Sequence, residues 1–204
     1  MQCNKYILIT FLFLCSFCKA YTQEEGFTSQ PTKRGEYALV LYGGGGLSYY
    51  FSTGGVPTYL QPQLKKFNPI GTVRLMWHPD HLIKVGLETG HMTFLNYTAK
   101  DSVGNIARVQ TNAVPLLIEW TMALTRRFNV FAGSGVYFLT TNLDYAGKAT
   151  SKKLSIGWMA AASYIHPLSK NVGLGTELKW MDAAESTDGA FCLQLQLVWK
   201  FLRW

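Results

Sequence analysis

The sequence predicts an all-β chain: an eight-stranded antiparallel up-and-down transmembrane β-barrel preceded by a cleavable N-terminal signal peptide. Three observations point there. The chain opens with an export signal, apolar residues recur at every second position from residue 36 onward, and the connections between segments alternate short and long. Period two is the mark of a strand with two unlike faces. The 204 residues allow a single domain, and 48% hydrophobic with 15% charged residues suits a globular or a barrel protein equally, so pattern has to decide.

Residues 1–20 read as the signal peptide. Lys5 supplies a positive charge, residues 6–18 (YILITFLFLCSFC) form an apolar run, and Cys18-Lys19-Ala20 places small residues at positions −3 and −1 of a cleavage site. A spanning helix needs about 20 apolar residues, more than this run holds. Phe17 is too bulky to precede a lipidated Cys18. Residues 21–35 are then a short periplasmic segment and 36–204 the barrel. Cys3, Cys15 and Cys18 leave with the signal, so Cys192 remains alone and neither an intramolecular disulfide nor a cysteine-rich metal site can form. The net charge of +7 is scattered, with no dense basic patch of the kind that grips nucleic acid, and suits anionic lipid or polysaccharide instead.

The segments follow in order. Residues 36–51 (EYALVLYGGGGLSYYF) alternate through a glycine run; 69–78 (PIGTVRLMWH) and 82–95 (LIKVGLETGHMTFL) flank the turn HPDH; 108–124 (RVQTNAVPLLIEWTMAL) and 128–140 (FNVFAGSGVYFLT) flank TRR. Residues 153–165 (KLSIGWMAAASYI) and 172–183 (VGLGTELKWMDA) flank HPLSKN, and the eighth segment is the terminal run AFCLQLQLVWKFLRW. Pro, Asp and basic residues mark these three as tight turns. The other connections, 52–68, 96–107, 141–152 and 184–189, are longer. Short turns on one side and long loops on the other is the asymmetry of up-and-down membrane barrels. Most segments also reach the ~9–11 residues that a tilted strand needs to cross a bilayer, where globular strands hold about 5 or 6.

One face of these segments is almost free of charge: Ile83, Val85 and Leu87; Val114, Leu116, Ile118, Trp120, Met122 and Leu124; Ile156, Trp158 and Tyr164; Leu174, Leu178 and Trp180; Leu193, Leu195, Leu197 and Trp199. It is expected to meet lipid. The opposite face carries Arg74, Lys84, Glu88, Glu119, Glu177, Lys179, Gln194, Gln196 and Lys200 among glycines. An eight-stranded barrel has an interior that side chains fill, and isolated buried charges cost several kcal/mol. A lumenal charge network of Arg74, Lys84, Glu88, Glu119, Glu177 and Lys179 is therefore expected, paired across strands. Four residues at ~3.4 Å each keep Lys84 and Glu88 about 13 Å apart along their own strand. A turn setting Leu75 opposite Val85 would bring Arg74 diagonally next to Glu88, and Glu119 would face Gly133. Aromatics gather near strand ends: Trp77, Phe128, Tyr164, Trp199, Phe201 and Trp204 at the short turns, and Phe94, Phe138, Trp180 and Phe191 toward the loops, as interfacial girdles.

The signal, the eight alternating segments and the terminal FCLQLQLVWKFLRW resemble the small outer-membrane β-barrel proteins of Gram-negative bacteria, of the OmpX and OmpA transmembrane-domain type. The resemblance covers nearly all of the mature chain and is one of architecture. It implies residence in the outer membrane, and that the last strand, through Leu195, Leu197, Trp199, Phe201, Leu202 and Trp204, is the signal read by the barrel-assembly machinery. Trp204 departs from the parity of Trp199 and Phe201, so the end frays or a bulge intervenes. Architecture alone does not fix activity.

The expected function is that of a monomeric outer-membrane scaffold or surface-interaction protein without an open pore. Its partners are outer-membrane lipid and lipopolysaccharide, the assembly machinery, and an extracellular ligand met through loops. In loop 52–68 Lys65 and Lys66 are candidates for lipopolysaccharide phosphates; a pair of solvated lysines is the plainer reading. The alternatives are a lipid A-modifying enzyme, a component of a secretion or envelope-assembly apparatus, and a soluble lipocalin-like barrel. For catalysis, His91 and Thr93 share a face by parity but Glu88 falls on the other, so the orienting carboxylate is lacking. His78, His81 and His166 are read as turn residues. No catalytic residue, cofactor or metal site is expected, and a lipocalin-like fold would need the two faces exchanged.

Overall fold

A computed structural model describes residues 35, 37–51, 65–79, 82–100, 106–145, 147–184 and 189–204. The segment expected at 1–20, and the one expected at 21–35 apart from Gly35, lie outside the described residues. Eight strands follow: β1 Ala38–Tyr50, β2 Phe67–His78, β3 Ile83–Lys100, β4 Ile106–Ala123, β5 Phe128–Asp144, β6 Lys148–Pro167, β7 Val172–Ala183 and β8 Ala190–Arg203. Each pairs antiparallel with its neighbours in sequence, and β1 pairs with β8 to close the barrel.

The register fixes the shape. Followed once round, Val40 pairs with Met76, then Gly86, Glu119, Gly133, Met159, Met181 and Ala190, returning to β1 at Tyr50, ten residues further on. A stagger of this kind tilts the strands by about 35–45° to the barrel axis. The tight turns carry their own hydrogen bonds. Leu124 N–H donates to Phe128 O and Phe128 N–H to Thr125 Oγ1, while Leu168 N–H donates to Val172 O and Val172 N–H to Ser169 Oγ.

Alternation sorts the side chains as a membrane requires. Ile118, Ile156 and Leu195 are 53%, 69% and 62% exposed on the outside, whereas Glu119 and Glu177 are fully enclosed. A continuous apolar exterior over a charged interior is stable only where the surrounding solvent is hydrocarbon. Trp77, Phe128, Tyr164, Trp199, Phe201 and Trp204 lie exposed near the short-turn ends. Gly71 faces outward with Val73.

Four expectations need correction. Residues 96–107 and 141–152 are not long loops: β3 and β4 run to Lys100 and Ile106, β5 and β6 to Asp144 and Lys148. The β2–β3 register is shifted by two, setting Arg74 opposite Glu88 and Leu75 opposite Leu87, because two more residues on the β3 side belong to the connection than supposed and Trp77 faces Val85 rather than Ile83. Phe94 belongs to no girdle; it is buried at a β-bulge between Thr93 and Leu95, in tilted and edge contacts with Tyr137 and Tyr50. His78 and His166 sit within strands rather than turns, and His81 lies outside the described residues.

At the β1–β8 seam the register steps from Val40 opposite Lys200 to Leu39 opposite Leu202, so Phe201 is an extra residue. That bulge accounts for the shifted parity of Trp204. Beyond it Tyr37 and Trp204 exchange two backbone hydrogen bonds, 3.0 and 3.1 Å, and their rings stack at 6.1 Å.

Candidate functional site

Strand alternation turns Arg74 of β2, Glu88 of β3, Glu119 of β4, and Glu177 and Lys179 of β7 into the lumen, where all five are buried. Arg74 donates from Nη2 to Glu88 Oε2 at 2.5 Å and from Nη1 to Glu177 Oε2 at 2.8 Å. Lys179 Nζ donates to Glu88 Oε1 and Oε2 at 2.5 and 2.7 Å and pairs with Glu177 Oε1 at 3.0 Å. Arg74 Nε lies against Glu119 as an ion pair without hydrogen-bond alignment, and both Glu119 oxygens are buried with no hydrogen-bond partner. The Arg74 guanidinium also rests 4.2 Å from the Phe131 ring centroid and 5.6 Å from that of Tyr42.

β8 and β1 separate β7 from β2 in the sheet, so the Arg74–Glu177 pair crosses the lumen. Three carboxylates against two cations give the cluster a formal charge of −1. Glycines make the room: a Cβ at Gly133 would lie 2.8 Å from Glu119 Cγ. Lys84 sits opposite Thr121, nearer the short-turn end, and is buried; the pairs just described run through the other five residues. Toward the outer end Leu117, Met92, Phe94, Tyr137, Met159, Met181 and Cys192 fill the interior. Tyr42 and Phe131, which cover the guanidinium, were not legible from sequence, since each reads as an ordinary strand aromatic.

A second surface stands at the outer end, where β3 to β6 continue past the apolar belt. In phase with the exposed Val114, Phe138 and Leu154 come Asn112, Thr140 and Lys152, then Gln110, Asn142 and Thr150, then Arg108, Asp144 and Lys148, each trio in register across β4, β5 and β6. The other face, in phase with the buried Ala113 and Leu139, carries Thr111, Val109, Thr141 and Leu143, while Leu95, Tyr97 and Ala99 of β3 pack on the core. The outward face thus turns polar where the strands leave the belt, while the other becomes mixed, with Ser151 and Lys153 of β6 beside Thr111 and Thr141. The switch was present in the sequence as a change of parity at Asn112 and Thr140, both inside segments read as strand, while Lys152 fell in a connection read as loop.

Lys65 is exposed at the foot of β2, its N–H bonded to Asn96 O, and Lys66 Nζ lies 6.0 Å from the Tyr49 ring centroid. Residues 52–64 of that connection fall outside the described residues. Leu195, Leu197, Trp199, Phe201 and Trp204 are exposed along β8 and its end. His91 and Thr93 do not share a surface: His91 is exposed, and Thr93, beside the bulge, is buried with its hydroxyl donating to Asn112 Oδ1 at 2.9 Å. Among the described residues no group of three or more His, Cys, Asp or Glu is arranged to hold a metal ion.

No family model matches the sequence and no curated protein does. Solved structures do. The chain is similar to Ail, the attachment invasion locus protein of Yersinia pestis, with a TM-score of 0.50 and 10% identity over 84% of this chain and 100% of that one. Neisserial surface protein A aligns at a TM-score of 0.49 and 9% identity, over 82% of this chain and 100% of its own. The outer membrane protein OprG of Pseudomonas aeruginosa aligns at 0.48 and 13%, over 88% and 99%. Identities this low speak to architecture. With its closed eight-strand register, lipid-facing exterior and ion-paired interior, the chain has the fold of the small outer-membrane β-barrels.

Proposed function

We propose that this protein resides in the outer membrane as a closed, monomeric barrel that acts as a surface-interaction protein, carrying no chemistry of its own. The observation that carries the reading is the continuation of β3 to β6 beyond the apolar belt as a sheet with a polar outward face. Recognition groups built on strands are held more precisely than groups on loops. Among the described residues no strand lies on the β7 side of β6 before Gly157, so residues 148–156 offer a backbone edge to an extended partner. The charge cluster and the packed outer interior support a scaffold without a conduit. We assign export to residues 1–20, a periplasmic position to 21–35, and the assembly signal to Leu195, Leu197, Trp199, Phe201 and Trp204; Lys65 and Lys66 extend the basic outer surface.

The test is reconstitution and display. Cells carrying the full chain are labelled with a membrane-impermeant thiol reagent after Thr150→Cys or Lys148→Cys, and the purified protein is placed in a planar bilayer. Surface labelling at both positions with no steady conductance supports the reading; a conducting pore, or labelling only after lysis, overturns it.

A further inference from the structure

We propose that the outward face of the protruding sheet, Asn112, Thr140 and Lys152 with Gln110, Asn142 and Thr150 above them, binds the phosphorylated sugar head groups of the glycolipid in the membrane leaflet that surrounds it. This rests on the outer-membrane reading above and names the partner of that surface.

Continuity with the membrane-facing surface carries it. In β4, β5 and β6 the residues two positions below Asn112, Thr140 and Lys152 are Val114, Phe138 and Leu154, exposed on the apolar belt. Two strand residues span roughly 7 Å, less when tilted. The polar row therefore begins at the height where acyl chains end and head groups start, on the same side of the sheet as the lipid. The chemistry of the row fits that level. Carboxamides and hydroxyls both donate and accept, as sugar hydroxyls need, and Lys152, Lys148 and Arg108 against the single Asp144 leave this face with an excess of two positive charges for phosphate. The amides are already oriented. Gln110 Nε2 and Thr93 Oγ1 both donate to Asn112 Oδ1 at 2.9 Å, and Thr150 Oγ1 donates to Asn142 Oδ1 at 3.1 Å, so both asparagine carboxamides are held through their oxygens. The opposite face of the same strands mixes Val109, Leu143 and Ala149 with the hydroxyls of Thr111, Thr141 and Ser151 and with Lys153, and among the described residues of β4 to β6 at this level it carries no carboxamide and a single cation.

The experiment uses the full chain inserted into phosphatidylcholine vesicles with and without diphosphorylated lipid A, followed by detergent extraction and counting of lipid A retained per barrel. Lys152→Glu and Asn142→Ala are expected to lower retention, by about fivefold for each polar group removed, whereas Ser151→Ala on the opposite face leaves it unchanged. Lipid A stripped of its phosphates is expected to be retained less, and inorganic phosphate alone not to displace the intact glycolipid. Equal retention by Lys152→Glu and the unaltered chain, or full displacement by phosphate, overturns the inference alone. Failure of the unaltered chain to enter either vesicle overturns the outer-membrane reading together with it.

Discussion

Arg74 and Glu177 meet 2.8 Å apart across the lumen although 103 residues separate them in sequence. Their strands share no hydrogen bond, so the pair ties opposite walls together rather than neighbours. Glu88 then bridges Arg74 to Lys179, making a chain of charges from β2 through β3 to β7.

Removing the charge of Glu88 leaves the buried Arg74 and Lys179 to share Glu177. Glu88→Gln is expected to destabilise the barrel by about 3–5 kcal/mol, the usual cost of breaking a buried pair from one side. Glu119→Gln should cost distinctly less, because its oxygens accept no hydrogen bond and the change removes the excess negative charge. Urea midpoints read by tryptophan fluorescence in detergent would rank the two, and equal losses would contradict the assigned pairing.

Glycine positions divide by what a methyl group would strike. At Gly157 a Cβ would lie 2.1 Å from Asp182 O and 2.6 Å from the Tyr137 ring, so Gly157→Ala should cost about 1–3 kcal/mol. At Gly43 nothing lies within 4 Å, and Gly43→Ala should leave the midpoint unchanged within a few tenths of a kcal/mol. The same denaturation series decides it.

Cys192 is buried in the interior and the described residues hold no other cysteine. It should resist thiol reagents in the folded barrel and react on heating in detergent. That supplies a low background for introduced cysteines: Ile118→Cys should take only a lipid-soluble reagent, and Asn142→Cys a water-soluble one. Reversed labelling would place water where hydrocarbon has been assigned.

At the end of β8, Trp199 and Phe201 are exposed and Phe201 forms the bulge that realigns the terminus. If this strand carries the assembly signal, Phe201→Ala combined with Trp199→Ala should lower the fraction of heat-modifiable, folded barrel in cells several-fold. Refolding from urea into detergent should change less, since the machinery is absent there.

Much of this arrangement was legible in the sequence, and physical reasons mark where it was not. Alternation fixed which side of each strand meets lipid, because a one-residue slip would bury every leucine and expose every charge. Gly133 opposite Glu119 followed from the length of the TRR turn. The pairing of Arg74 directly with Glu88 did not, since parity permits any even shift and only the turn geometry chooses among them. The bulges at Phe94 and Phe201 each add one residue, and nothing in composition announces that. The outer sheet was missed for a different reason: once the strands leave hydrocarbon the outward face turns polar, and a pattern sought as apolar-outward stops being found although the strand goes on.

The cluster joining β2, β3, β4 and β7 also constrains how the molecule enters a bilayer. A hairpin crossing by itself would drag Arg74 with Glu88, or Lys179 with Glu177, into oil before the pairs that join the two walls had formed. Passage one hairpin at a time is thereby disfavoured, and the wall is expected to curl at the water boundary first. On that route neutralisation and closure are the same event, and the seam between Tyr37 and Trp204 is the last stitch.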